Sequence, residues 1–180
     1  MTTLPTPATW PPAATLRSSR LVLEPLRPEH ATEAFVIFDD ARLHAYTGGR
    51  PATAEELDDR FTRQSVGRSP DGSQGWLNWM LRRHDTHRLV GTVQATLSHA
   101  EHTEHAEVRA ELAWVVATHE QGHGYAREAA ITVADWLRGQ GVSSLLADVH
   151  PGHHASAGVA RAVGLQPTPT VVDGEVRWAG

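Results

Sequence analysis

The chemistry-bearing residues of this 180-residue chain gather around one Gly-x-Gly. A β-branched, apolar run, Val108-Arg-Ala-Glu-Leu-Ala-Trp-Val-Val116, ends in a polar turn, and Gly122-His123-Gly124 then opens onto Tyr125-Ala126-Arg127 and an apolar-periodic stretch. A helix start leaves backbone N–H groups without partners and adds partial positive charge. Glycines remove the Cβ atoms that would hold a ligand away from that backbone. The chemistry on offer is anion binding, with phosphate or pyrophosphate the natural guest. A plain connecting turn with two flexible glycines fits the same letters. The dinucleotide fingerprint needs a third glycine where Arg127 stands, and the nucleoside-triphosphate loop needs a Gly-Lys-Ser/Thr that the turn does not supply.

Positioning that turn requires a strand before it and a helix after it. Val108 to Val116 alternates as a strand, which places Glu107, Arg109 and Glu111 on one face; the bland reading is a surface Glu111 paired with Arg109. Tyr125 to Arg138 reads as the helix, with Ala126, Ala130, Val133 and Leu137 on one side and Gly139 and Gly141 as its stop. Upstream, Leu21 to Leu23 with Leu26 predicts a first strand, and Pro28-Glu29 a helix through Phe38. Thr53-Ala-Glu-Glu56 has capping-box form and starts a helix to about Val66. Residues 69–75 form a loop, and 76–83 with 89–97 a hairpin around Asp85-Thr86-His87. Downstream come a short buried strand (145–149), a short helix (155–162) and a terminal hairpin at Asp173-Gly174 between 171–172 and 176–178. Residues 1–14, with Pro5, Pro7, Pro11 and Pro12, read as a flexible tail in which Trp10 is either an anchor or a solvent-tethered ring. Residues 15–180 then make one α+β domain with a mixed sheet.

Composition narrows the function classes. A formal charge of -5 offers no broad basic surface for nucleic acid. The absence of cysteine excludes disulfides, a thiol nucleophile and zinc–thiolate sites. No apolar run approaches the ~18–20 residues that cross a bilayer, and the N-terminus lacks signal-peptide form. The expectation is a cytoplasmic protein, monomeric or homodimeric. His99, His102 and His105, interleaved with Glu101 and Glu104, have i,i+3 spacing that invites a metal; no fourth ligand is evident, and a solvated loop is the stronger reading. Trp76 and Trp79 read either as lining for a pocket or as core.

Gln121-x-x-Gly124-x-Ala126 resembles the Gln/Arg-x-x-Gly-x-Gly/Ala signature of the GNAT acyltransferases. The likeness extends in order along residues 16–178: the opening strand and helix (15–30) are similar to those of the RimJ/RimL-type branch. Leu89-Val-Gly-Thr-Val93 resembles a central hairpin strand, Ala110-Glu-Leu-Ala-Trp-Val-Val116 the strand before the cofactor turn, and Val149-His-Pro-Gly-His-His-Ala-Ser156 with Val163-Gly-Leu165 the closing motif. The resemblance implies a mostly antiparallel sheet flanked by about four helices, with central strands splayed for acyl-CoA. It implies acetyl-CoA as cosubstrate, no metal, and a primary amine as acceptor, on a protein N-terminus or a small molecule.

Acyl transfer from a thioester needs a held CoA, a neutral amine, a stabilised oxyanion and a protonated leaving thiolate. By the resemblance, backbone N–H groups of Gly122, His123, Gly124, Tyr125 and Ala126 hold pyrophosphate. Gln121 takes the signature's first position or simply caps the turn, and Arg127 is a phosphate contact or a solvated first-turn charge. Val115 and Val116 line the pantetheine arm through β-like hydrogen bonds, with the Val116 N–H as oxyanion donor. Amines titrate between about 8 and 10.4, so a base is required near neutrality; Glu111 takes that place, with His119 and His123 as weaker candidates. Ser156 matches the motif as proton donor or cofactor contact. His153 stands where relatives carry Asn, and Ala160 where many carry Tyr. These departures motivate a non-catalytic acyl-CoA-binding protein as the alternative, with a nucleotide-binding domain as a third reading.

Overall fold

Trp79 and Met80 are adjacent in sequence and both fully buried, which a strand permits only when both of its faces are covered. The computed structural model describes residues 10–100 and 107–180. Among these the strands are β1 (Leu16–Arg17), β2 (Leu21–Pro25), β3 (Gly75–Arg83), β4 (Leu89–His99), β5 (Val108–Val116), β6 (Ser144–Val149), β7 (Gln166–Val172) and β8 (Glu175–Ala179). The helices are α1 (His30–Phe38), α2 (Ala54–Ser65), α3 (Tyr125–Gly139) and α4 (His154–Ala162). The strands form one sheet in the order β1-β2-β3-β4-β5-β6-β8-β7, antiparallel except for β5 with β6. Trp79 packs with Ala130, Val133 and Leu137 of α3. Met80 packs with Ile37 of α1 and with Leu57 and Phe61 of α2. This is the mixed, mostly antiparallel α+β sheet with four helices that the resemblance implied. No helix among the described residues is long and apolar enough to cross a membrane.

Local signals account for most boundaries. Thr53 accepts from the Glu56 N–H at 3.2 Å and Glu56 accepts from the Thr53 N–H at 2.8 Å, completing the capping box. Asp173 and Gly174 both take positive φ, 50° and 85°, as a two-residue hairpin turn requires. Trp10 is an anchor: its Nε1 donates to Gly72 O at 3.1 Å and its ring lies against Gly75. The sequence missed β1, which is only two residues long, and most of β7. Pro167 and Pro169 argue against a strand there, but β7 is the sheet edge, where proline costs no ladder bond, and its register shifts between Pro167 and Val171.

His30 opens α1 with its ring buried. Its Nδ1 accepts from the Arg27 N–H at 3.1 Å, so Nε2, 3.1 Å from Glu24 Oε2, carries the proton of the neutral ring. Burial holds its pKa below the usual 6.5, against the pull of Glu24. The unfolded chain therefore takes up this proton first. Stability contributed here is present above about pH 6.5 and is lost as pH falls below it. The expected result is a melting temperature that drops between pH 7.5 and 5.5, with a shallower drop in His30→Gln; equal slopes in the two proteins would refute the assignment.

Candidate functional site: a split sheet beside a helix N-terminus

The β5/β6 ladder is three pairs long, Arg109 with Ser144, Ala110 with Leu145 and Glu111 with Leu146. Beyond Leu146, β6 is paired only with β8, and β5 continues to Val116 with β4 alone. The sheet is split along this line. On the β4 side, the Ala117 N–H donates to Val90 O and the Ala100 N–H to Glu107 O. Odd-numbered residues of β5 therefore face β4 and even-numbered ones face β6, the alternation of an antiparallel ladder. The Ser143 N–H donating to Val108 O on the other edge agrees. Val115 thus spends its backbone groups on Thr92. Of the pair named from the motif, Val116 points its backbone into the gap together with Trp114, while the Val115 backbone is turned to β4.

At the mouth of the gap Gln121 Nε2 donates to Val116 O at 3.0 Å, so this side chain caps the strand end. Gly122 and Gly124 take φ of 81° and 82°, a left-handed backbone costly for residues with a Cβ. No side chain caps α3. Among the described residues, the backbone N–H groups from Gly122 to Arg127 have no protein acceptor, whereas the Glu128 N–H returns to Gly124 O. The side chain of Tyr125 turns inward, between the Arg20 and Arg83 guanidinium groups at 4.7 and 5.5 Å from its ring centroid. Arg127 is exposed.

A clamp invisible to local sequence fixes this turn. Glu128 accepts from Ser18 Oγ, the Arg20 N–H and Arg20 Nε, each at 2.7 Å, and Arg20 Nη1 donates to His123 O at 2.9 Å. These bonds hold the Glu128 carboxyl below its usual range against the opposing effect of burial. They join residues more than a hundred positions apart, so no spacing rule finds them. His123 also places Nδ1 3.1 Å from Glu120 O. His119 is exposed on the short 3-10 turn Thr118–Glu120.

The closing motif lies across the gap. Ser156 Oγ accepts from Trp114 Nε1 at 3.2 Å, tying α4 to β5. His153 is the N-cap of α4, with Nδ1 accepting from the Ser156 N–H at 3.4 Å. Its ring stacks on Tyr46, centroids 4.2 Å apart, and is half-buried. Burial, then the neighbouring His150 and His154, hold its pKa below the usual value. Ala160 is fully buried and offers no hydroxyl.

Glu111 projects from the opposite sheet face at the last β5/β6 pair, with its side chain 49% exposed. Its partner is Arg177 Nη2, at 3.2 Å, and Arg109 instead donates Nε to Ser98 Oγ at 3.1 Å. The Glu111–Arg109 pair of the bland reading does not form, because β8 brings Arg177 over Asp148, which binds it through two bonds of 2.9 and 2.7 Å. Burial and the charge of Asp148 push the Glu175 carboxyl up nearby. Trp76 lines a separate cleft and Trp79 is core. Among the described residues no three His, Asp or Glu side chains converge as a metal site. His102 and His105 lie outside the described residues.

The geometry is that of a sheet split beside an uncapped helix start, and sequence comparison supplies the family. Residues 20–166 match the acetyltransferase (GNAT) domain family, and the chain belongs to it. No curated protein matches the chain by sequence. Among solved structures it resembles a GNAT-family acetyltransferase from Bacillus anthracis, with TM-score 0.74 and 16% identity over 93% of this chain and 98% of that one. It also resembles AAC(6')-Ib in complex with Parmomycin and acetyl-CoA, with TM-score 0.71 and 12% identity over 88% and 92% of the two chains. A third is a spermidine N-acetyltransferase SpeG chimera from Vibrio cholerae and hSSAT, with TM-score 0.66 and 16% identity over 89% and 95%. At these identities the likeness is one of fold.

Proposed function

We propose that this chain is an acetyl-CoA-dependent N-acetyltransferase that passes acetyl directly to a primary amine within a ternary complex. The carrying observation is the coincidence of the unclaimed N–H groups at the start of α3 with the unpaired edge of β5. A pyrophosphate suits the first, and the amides of a pantetheine arm suit the second. Bound acetyl-CoA would supply the activated thioester. Gly122, His123, Gly124, Tyr125 and Ala126 hold the phosphates through their backbone, with Arg127 free to add a charge. Gln121 braces the strand end that the arm follows. The Trp114 backbone would pair with the arm, and the Val116 N–H would serve as donor to the thioester carbonyl oxygen.

Glu111 removes the proton from the acceptor ammonium on the far side of the gap, directly or through water. Ser156, accepting from Trp114, keeps its own proton to donate a hydrogen bond to the leaving sulfur. His153 orients Ser156 through the helix cap. The buried Ala160 removes the hydroxyl that many relatives place on this helix, and it favours a second reading, an acyl-CoA-binding protein without turnover. The likeness to the RimJ/RimL-type branch supports either a protein N-terminus or a small amine as acceptor.

Thermal melting with acetyl-CoA, with NAD and ATP as controls, tests the cradle. A ligand at about 100 times its Kd adds about 2.7 kcal/mol, or roughly 5–10 °C for a domain of this size. Stabilisation by acetyl-CoA alone, with CoA release on adding amines, is the expected result. No shift at saturating concentration would end the proposal, and a shift without release from any amine would select the second reading.

A further inference from the structure

Resting on the N-acetyltransferase reading, we propose that the acceptor is a free amino acid, its carboxylate held by Arg109 and its amine set against Glu111. Glu111 opens into a cavity of about 150 Å³ lined by Gln74, Thr96, Ser98, Arg109, Leu146 and Arg177. All of these but Leu146 are polar or charged, so the wall suits a small hydrated molecule rather than an aromatic or aliphatic chain. At about 150 Å³ the cavity has room for a small amino acid.

The two guanidinium groups in that wall differ. Arg177 is committed, with Nε on Asp148 Oδ1 and Nη2 on Asp148 Oδ2 and Glu111 Oε2. Among the described residues Arg109 bonds through Nε to Ser98 Oγ, and its two Nη groups have no acceptor. Ser98 thereby fixes the fork while leaving its outer edge to bind a carboxylate in two parallel bonds. Arg109 and Glu111 are alternate residues on one strand face, with Cβ atoms on the order of 7 Å apart. A ligand bridging them must carry an anion and an amine within a few bonds of each other. A diamine leaves Arg109 facing a like charge, a dicarboxylate does the same to Glu111, and a zwitterion satisfies both.

The test is a calorimetric titration of the CoA-saturated protein with matched pairs, glycine against glycinamide and β-alanine against β-alaninamide. The titration reads binding, so it does not depend on turnover. Each acid is expected to bind at least tenfold tighter than its amide. Arg109→Gln should weaken the acids about 10- to 100-fold, as loss of a charged hydrogen-bonded pair does, and bring the acid-to-amide ratio near one. Ser98→Ala, which keeps the charge but frees the fork, should fall between. Equal binding of acid and amide, binding of neither, or a ratio unchanged in Arg109→Gln would overturn the proposal. Acetyl-CoA melting of the same samples reads the cofactor site separately: stabilisation without amino-acid binding removes this acceptor alone, whereas its absence removes the N-acetyltransferase reading.

Discussion

Glu111→Gln is expected to lower kcat/KM for the acceptor by about 10²–10⁴-fold at neutral pH, the range lost when a positioned base is removed, while leaving the acetyl-CoA stabilisation intact. Glutamine keeps the size and can still accept from Arg177, so the change isolates proton removal. The pH dependence carries the sharper signature. With the base gone, the reaction must draw on the small fraction of amine that is already neutral. The rate of the variant should climb about tenfold per pH unit until the pKa of the amine, between about 8 and 10.4. The wild-type profile should flatten earlier. A variant with wild-type kcat/KM at pH 7, or with a parallel pH profile, would move the base elsewhere.

Gly91→Ala should be the most damaging single-atom change in the sheet. Gly91 lies opposite Val116 across the β4/β5 ladder, and a Cβ built on it runs into the Val115 carbonyl oxygen. A backbone atom held in a two-strand ladder cannot swing aside as a side-chain tip does. Overpacking of this kind costs about 1–3 kcal/mol, and the displaced segment is the one whose other edge serves the gap. Expected together are a lower denaturation midpoint and at least tenfold weaker acetyl-CoA binding. Gly158→Ala in α4, where a Cβ meets nothing within 4 Å, is the control and should gain about 0.5–1 kcal/mol. Gly91→Ala matching wild type in both measurements would show that β4 can give way.

Much of this architecture is written locally. The Thr53/Glu56 box, the Asp173-Gly174 turn and the alternation of β5 are each complete within a few residues, so spacing alone reveals them. The cradle is legible for the same reason, since Gly122, Gly124 and the start of α3 are contiguous. What escaped are the relations that only the sheet order creates. The partner of Glu111 comes from β8, the clamp on His123 from Arg20, and the ring stacked on His153 from Tyr46. Strand phase also matters: naming Val115 and Val116 requires only the motif, but knowing that Trp114 and Val116 face the gap requires knowing which partner takes the odd residues. Long side chains and edge assignments are set by tertiary neighbours, and one sequence holds no local trace of them.

The strand order also sets a schedule. From β1 to β5 each strand pairs with the one made just before it, so the closures are between successive strands. The three-pair seam to β6 is different in kind, because it forms only after α3 has crossed the sheet. During synthesis, the meander and its Glu111 edge can be in place while α4 and the terminal hairpin are still to emerge. The wedge that opens beside Trp114 is then no late excavation in a finished sheet. It is the seam between the strands synthesised first and those synthesised last, joined by a ladder of three pairs.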